Sequence, residues 1–253
     1  MRSSHELASI GDAWNKLAQE DPLWAICVER HAKHGGWNVD EFYATGVAEV
    51  TTTLARAGQL GMRTSGRHAL DFGCAAGRLT RPLASSFEHV TGVDIAPEML
   101  AIAQHDNPVS SQCEFVLNPK PDLTLFDDAT FDLAYSSIVL QHMPPELSRV
   151  YLTEFARVLR PGGSLIVQLP TGPRRTLRGL AYRCLPLPVL GVVQRKLLGY
   201  PAPMQMHGIP EQEVVRLLTE HGLDVLAVDT TTFGPDWHER RYFCRKAPSA
   251  SVS

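Results

Sequence analysis

Short runs of β-branched and aromatic residues alternate with longer amphipathic segments along most of the chain. The short runs predict strands at 68–72, 89–94, 113–117, 131–140, 164–169, 223–229 and 240–246. The amphipathic segments predict helices at 78–87, 97–105 and 211–221, and a further one whose apolar face runs from Leu147 to Leu159. Strands that alternate with helices in this way are typical of an α/β fold with a largely parallel sheet.

Two segments lie outside this alternation. Residues 1–60 predict a mainly helical N-terminal extension, and residues 172–205 form an apolar, basic, proline-interrupted insertion within a core at 61–246. The last residues, 247–253, are small and polar, and we expect them to be disordered.

Composition narrows the range of partners. The chain has 253 residues, 44% of them hydrophobic, which suits one α/β core, and its net charge of −3 gives no footprint for nucleic acid. Its five cysteines are scattered without a C-x-x-C pair, and the histidines and cysteines lack metal-ligand spacing, so we expect no metal. No stretch resembles a leader or a membrane span. A cytoplasmic protein, monomeric or homodimeric, with a small-molecule partner is the expectation.

The stretch "ALDFGCAAGRLT" places Gly73 and Gly77 between the first predicted strand and a helix, where a backbone approaches a nucleotide closely. A dinucleotide fingerprint fails, because its three glycine positions hold Gly73, Ala75 and Arg78. A carboxylate at Asp71 would repel a pyrophosphate but would favour the cationic amino group of S-adenosylmethionine. An NAD-dependent oxidoreductase is therefore disfavoured.

A second acidic position supports a nucleoside ligand. Asp94 ends the second predicted strand in "VTGVDIAPEML", about twenty residues after the glycine turn. A carboxylate at that place accepts hydrogen bonds from ribose hydroxyls, which both cofactor classes contain.

Two further motifs follow these in order, "FDLAYSSIVLQHMP" and "FARVLRPGGSLIVQLP". Taken together, residues 66–170 resemble the class I S-adenosylmethionine-dependent methyltransferases. The resemblance implies a Rossmann-like, seven-stranded, mostly parallel sheet with an antiparallel last strand. It departs from the family at Ala75, where a glycine is common. By this resemblance, the methionine part of the cofactor would lie against Gly73, Cys74 and Gly77, with Asp71 beside them. The ribose would be bound by Asp94, and Ile95 and Met99 would lie beside the sugar and the adenine. The resemblance places Asn118, Asp122 and Leu123 near the adenine, and Ser136 at the end of the fourth strand.

Methyl transfer to a hydroxyl calls for a base. His142 follows the fourth predicted strand and has an ordinary pKa near 6.5, so it is the first candidate, and His207 is the second. We expect O-methylation of a small molecule with a hydrophobic body. A nitrogen or carbon acceptor, and a non-catalytic S-adenosylmethionine-binding protein, remain alternatives.

The insertion at 172–205 is too apolar for a solvated loop. Nine of its side chains are therefore expected to be buried: Leu177, Leu180, Tyr182, Leu185, Leu187, Val189, Leu190, Val192 and Val193. The favoured interpretation is a mobile helical lid that builds a hydrophobic acceptor pocket. A dimer interface, or a membrane-facing surface with Arg183, Arg195 and Lys196, remains open.

Overall fold

The computed structural model describes residues 2–28, 32–105, 107–196, 200, 202–231 and 236–248. The helices are α1 Arg2–Glu20, α2 Pro22–Ile26, α3 Val39–Gln59, α4 Thr80–Leu83, α5 Pro97–His105, α6 Pro145–Val158, α7 Leu177–Cys184, α8 Leu187–Lys196 and α9 Glu211–Glu220. The strands are β1 Gly66–Phe72, β2 Phe87–Asp94, β3 Cys113–Leu117, β4 Phe131–Ser136, β5 Leu159–Pro173, β6 Leu223–Thr231 and β7 Trp237–Lys246.

All seven strands form one sheet in the order β3-β2-β1-β4-β5-β7-β6. β1 pairs parallel with β2 and β4, and β5 continues the parallel part beside β4. Only β7 runs in the opposite direction, antiparallel to both β5 and β6. The expected Rossmann-like sheet with an antiparallel last strand is confirmed.

Alternate residues of each central strand pack into opposite layers of the core. Leu70 of β1 packs with Tyr151 and Phe155 of α6 on one face of the sheet. Its neighbour Ala69 packs with Val50 and other α3 residues on the other face. Helices therefore cover both faces, which explains why the central strands read as continuous apolar runs.

Two predicted elements are shorter in the structure. The helix predicted at 78–87 is only α4, because β2 already begins at Phe87, where it pairs with Gly66. The strand predicted at 131–140 ends at Ser136. Beyond it the chain turns through Ile138, whose φ of 63° is incompatible with a strand, into a 3₁₀ turn at Leu140–His142.

The insertion is helical at α7 and α8, but burial of its apolar residues was expected and is wrong for five of them. Leu177, Leu180, Leu185, Val189 and Val192 are exposed, while Leu190 is buried. The side chains of Arg178, Arg183 and Leu187 lie outside the described residues, as do residues 197–199 and 249–253.

Candidate active site: a nucleoside cleft beside a chamber

The glycine turn after β1 is held against the end of the neighbouring strand. The N–H groups of Gly73 and Cys74 both donate to the carbonyl oxygen of Val93, at 2.7 and 3.0 Å. Gly73 has a φ of 75°, and a Cβ at this position would overlap the side chain of Val139. Glycine is therefore required here by the backbone conformation and by the close approach of the loop that follows β4.

Asp94 sits at the end of β2 with its carboxylate turned back onto this turn. It accepts hydrogen bonds from the N–H of Ala75 at 2.8 Å and from the N–H of Ala96 at 2.9 Å. Burial raises the pKa of Asp94, while these N–H groups favour the charged form. Two bonds leave carboxylate lone pairs for a ligand, which matches the ribose role that the sequence predicts.

Asp71 lies beneath the turn and is almost completely buried. Its carboxylate accepts a 2.6 Å hydrogen bond from the hydroxyl of Thr80. Burial raises the pKa of Asp71 to about 7, against this hydrogen bond and the nearby charge of Arg78. Without a ligand, this carboxyl group therefore titrates close to neutral pH.

A cleft opens between these residues and α1. Six of the predicted cofactor residues line it, namely Asp71, Gly73, Cys74, Asp94, Ile95 and Asn118. Leu7, Ile10 and Trp14 of α1 form its other wall and leave a free volume of only about 80 Å³. The side chains of α1 thus occupy much of the space in front of the glycine turn.

The other predicted cofactor residues lie outside the lining of this cleft. A Cβ at Gly77 would touch the ring of Phe115 at 3.0 Å, so Gly77 serves close packing of the turn on β3. Met99 and Leu123 are fully buried in the hydrophobic core, and Asp122 is bonded locally to Thr124. Their contact with a cofactor stays a prediction.

Ser136, at the end of β4, is buried, and its hydroxyl has no hydrogen-bond partner among the described residues. It does not line the cleft in this conformation.

Tyr43, an aromatic residue of α3, supports the glycine turn from the side away from the cleft. Its hydroxyl donates a 3.1 Å hydrogen bond to the carbonyl oxygen of Ala76.

His142 lies where the cleft meets a second cavity. Its Nδ1 is 2.8 Å from the carbonyl oxygen of Gln205, and its Nε2 is 3.2 Å from the amide nitrogen of Gln141. The carbonyl can only accept, so Nδ1 carries the proton and Nε2 presents a lone pair. Burial lowers the pKa of His142 to about 4, so the imidazole is neutral at physiological pH.

The second cavity, which we call the chamber, has a volume of about 670 Å³. It shares Ile26, Arg78, Ile138 and His142 with the cleft. Aromatic and methionine side chains line much of it: Trp37, Tyr182, Tyr200, Trp237, Met204 and Met206. This size and lining suit an organic molecule with a flat apolar body.

Charged residues form the floor of the chamber. Glu49 of α3 pairs with Arg78 at 2.8 Å and with Arg241 of β7 at 2.7 Å, and it accepts a 2.7 Å bond from Ser137. Burial alone would raise the pKa of Glu49, but the two guanidinium groups hold it below its ordinary value. Sequence reasoning missed this cluster, because its members lie up to 192 positions apart.

His207 does not line the chamber. It borders a crevice of about 510 Å³ on the other side of His142, together with Glu6, Trp14 and Glu146. A catalytic role for His207 stays a prediction that this geometry does not favour.

Comparison with known proteins follows the same part of the chain. Residues 70–167 match the family described as "Methyltransferase domain". They contain the glycine turn, Asp94 and His142, within a sheet of the order given above. Over this segment the chain is similar to methyltransferases, as the sequence predicts.

Among curated relatives, a 2-methyl-6-phytyl-1,4-hydroquinone methyltransferase of Synechocystis is 29% identical over 66% of this chain and 51% of its own length. An O-methyltransferase of Aspergillus nomiae is 34% identical over 53% of this chain and 60% of its own. A ubiquinone biosynthesis O-methyltransferase of Xylella fastidiosa is 35% identical over 41% of this chain and 42% of its own length. The matched part therefore spans about half the length of these relatives.

Among solved structures, magnesium protoporphyrin IX methyltransferase from Synechocystis with bound S-adenosylhomocysteine aligns with a TM-score of 0.64. The alignment covers 96% of this chain and all of that one, at 20% identity. At this identity the likeness is one of fold.

The residues present fit S-adenosylmethionine in chemistry. Asp94 offers an acceptor for ribose hydroxyls, the turn at Gly73 leaves no Cβ in the way, and Asp71 offers a buried carboxyl for an ammonium group. A free volume of about 80 Å³ is smaller than ordinary ligand pockets of about 300 Å³ or more. Outward movement of the α1 side chains would enlarge the cleft in front of the glycine turn.

Proposed function

We propose that this protein transfers a methyl group from S-adenosylmethionine to a hydroxyl group of a small, largely apolar, ring-containing molecule. The observation that carries the proposal is the junction of the cleft with the chamber at His142 and Arg78. A cytoplasmic location, and a monomeric or homodimeric state, remain predictions of the sequence.

The relatives support this choice of acceptor. One acts on a hydroquinone, and two are named as O-methyltransferases. The chamber supports it independently, because Trp237 and Tyr182 meet edge to face at 5.5 Å and offer a wall for a ring.

The cofactor supplies an electrophilic methyl group on a sulfonium centre, and the protein supplies binding and positioning. Asp94 holds the ribose, and Asp71 favours the ammonium group, directly or through water. The acceptor ring lies in the chamber with its hydroxyl toward His142.

His142 accepts the hydroxyl hydrogen bond at Nε2 once the amide of Gln141 yields that position. Because burial lowers the pKa of His142 to about 4, it is a weak base, and we assign it chiefly to orienting the oxygen lone pair. The bound cofactor would supply the methyl group, its methyl–sulfur bond breaking as the methyl–oxygen bond forms, and Nε2 of His142 would take up the hydroxyl proton.

The test combines calorimetry with product analysis. Titration with S-adenosylmethionine and, separately, NADH identifies the cofactor. Turnover with hydroquinones and catechols is then compared with turnover of the matched anilines and thiols, and mass spectrometry locates the methyl group. We expect methyl transfer to oxygen, with Trp237→Leu raising KM for the acceptor but leaving the Kd of the cofactor unchanged. Methylation of nitrogen alone, or cofactor binding without turnover of any acceptor, would contradict the proposal.

A further inference from the structure

Apolar side chains point to solvent along the hairpin made by α7 and α8. Leu177 is 89% exposed, and Leu180, three residues later on the same face of α7, is 46% exposed. On α8, Val189 and Val192 are each 45% exposed, and Leu185 in the connection is 39% exposed. We call this surface the α7–α8 face. Five exposed apolar side chains on two short consecutive helices are uncommon on a protein that meets only water.

The hairpin is anchored through its opposite side, so the apolar row cannot turn inward. Gln194 exchanges two 2.9 Å hydrogen bonds with the backbone of Met204. Thr176 caps α7 through the N–H of Gly179 and donates to Asp236 at 2.7 Å. The outward orientation of the α7–α8 face is therefore fixed by polar contacts beneath it.

The charge around this face has one sign. The segment 172–205 contains six basic and no acidic residues, although the whole chain has a net charge of −3. Arg175, Arg195 and Lys196 are exposed, and within the described part of the chain none of them forms an ion pair. Asp236, an acidic residue beside the start of the hairpin, is bonded to Thr176.

We propose that the α7–α8 face docks on a bilayer that contains anionic phospholipids. Apolar side chains enter the boundary between headgroups and acyl chains, and the flanking cations meet lipid phosphates. A second copy of the chain fits this face less well. Contact between two α7–α8 faces would bring the six basic residues of one segment 172–205 against the six of the other. No helix among the described residues is long and apolar enough to cross a membrane.

Docking would place the chamber next to the lipid. Tyr182 of α7 and Gln194 of α8 line the chamber from the inner side of the same hairpin. An apolar acceptor dissolved in the bilayer then reaches the chamber without crossing water. The docking itself does not rest on the proposed function, because it is measured without cofactor or acceptor.

The experiment is flotation of the full chain with vesicles of phosphatidylcholine, with and without phosphatidylglycerol. We expect binding only to the anionic vesicles and weaker binding at high salt. The double variant R175E/K196E should lower the vesicle partition coefficient by at least about 30-fold, because each cation near the surface contributes to binding. The matched control R67E/R216E makes the same change of charge on exposed residues elsewhere and should bind within about threefold of wild type.

The apolar contribution has its own variant pair. L177S/V189S/V192S should reduce anionic-vesicle binding at least about tenfold, since it removes the inserted area. The control V39S/V47S/V150S changes three exposed valines outside the hairpin and should not. Circular dichroism and light scattering establish fold and mass for each variant. Absence of flotation, equal loss in the controls, or a dimer that L177S/V189S/V192S converts to monomer without any vesicle binding would overturn the proposal.

Discussion

Replacing Asp71 with asparagine tests the cost of keeping a carboxylate under the glycine turn. The side chain is almost fully buried, and an amide at the same place can still accept the hydrogen bond from Thr80. The substitution therefore removes the charge and keeps the shape and the bond. It isolates the electrostatic part of the site.

The magnitude follows from linkage. Burial raises the pKa of Asp71 from 3.8 to about 7, which makes the ionised side chain about 4 kcal/mol unfavourable to folding, at about 1.4 kcal/mol per pKa unit. Because the folded state binds the proton more tightly, stability is highest below the unfolded pKa and falls as pH rises toward the folded one. About 2.5 kcal/mol of this loss develops between about pH 5 and about pH 8.

The assay is urea unfolding of wild type and Asp71→Asn across that range. The advantage of the variant in free energy of unfolding should widen with pH by about 2.5 kcal/mol. Asp132→Asn is the control of opposite sign. Despite burial, N–H groups and Arg160 hold the pKa of Asp132 low, so its loss should destabilise at neutral pH. A pH-independent difference between wild type and Asp71→Asn would refute the reasoning. In wild type alone, cofactor affinity should rise as Asp71 ionises near pH 7.

Three further changes, the last with a matched control, test the remaining parts of the site and core. Asp94→Ala should weaken S-adenosylmethionine binding by about 1.5–3 kcal/mol in calorimetry, since bonds to a charged acceptor are lost; unchanged affinity would exclude the ribose role. His142→Ala should slow single-turnover methyl transfer at least about tenfold with cofactor affinity retained, and the wild-type rate should show no His142 titration above about pH 6. Gly46→Ala should destabilise by about 1–3 kcal/mol or more in urea, because its Cβ would overlap the carbonyl of Arg78. Gly58→Ala, in the same helix, where a Cβ would make only an ordinary 3.9 Å contact with Thr64, should stabilise by about 0.5–1 kcal/mol, and equal effects of the two would contradict the packing argument.

The sheet and the turn were predictable because their signals are local. A strand, two glycines and a following acidic strand end lie within about thirty residues, and the order of elements limits the topology. Gly73 and Asp94 line the same cleft, and their contact with a cofactor stays a prediction.

Side-chain direction was harder to predict than position. Met99 and Leu123 lie close to the expected loops in sequence, and both are buried in the core of the structure. An apolar residue near a ligand and one in a core look alike in the sequence, so their contact with a cofactor stays a prediction. The outward leucines and valines of the hairpin show the reverse case. Apolar composition predicted burial, whereas polar anchors such as Gln194 decided which side of the helix faces inward.

The cluster of Glu49, Arg78 and Arg241 has a consequence for how the chain unfolds. It joins α3 to the glycine turn and to the strand near the chain's end, so the boundary at residue 60 marks a change of secondary structure and no energetic division. A fragment that lacks α3 would leave two buried cations without their anion, which costs several kcal/mol. We therefore expect α3 and the sheet to melt as one cooperative unit, with calorimetric and van't Hoff enthalpies equal.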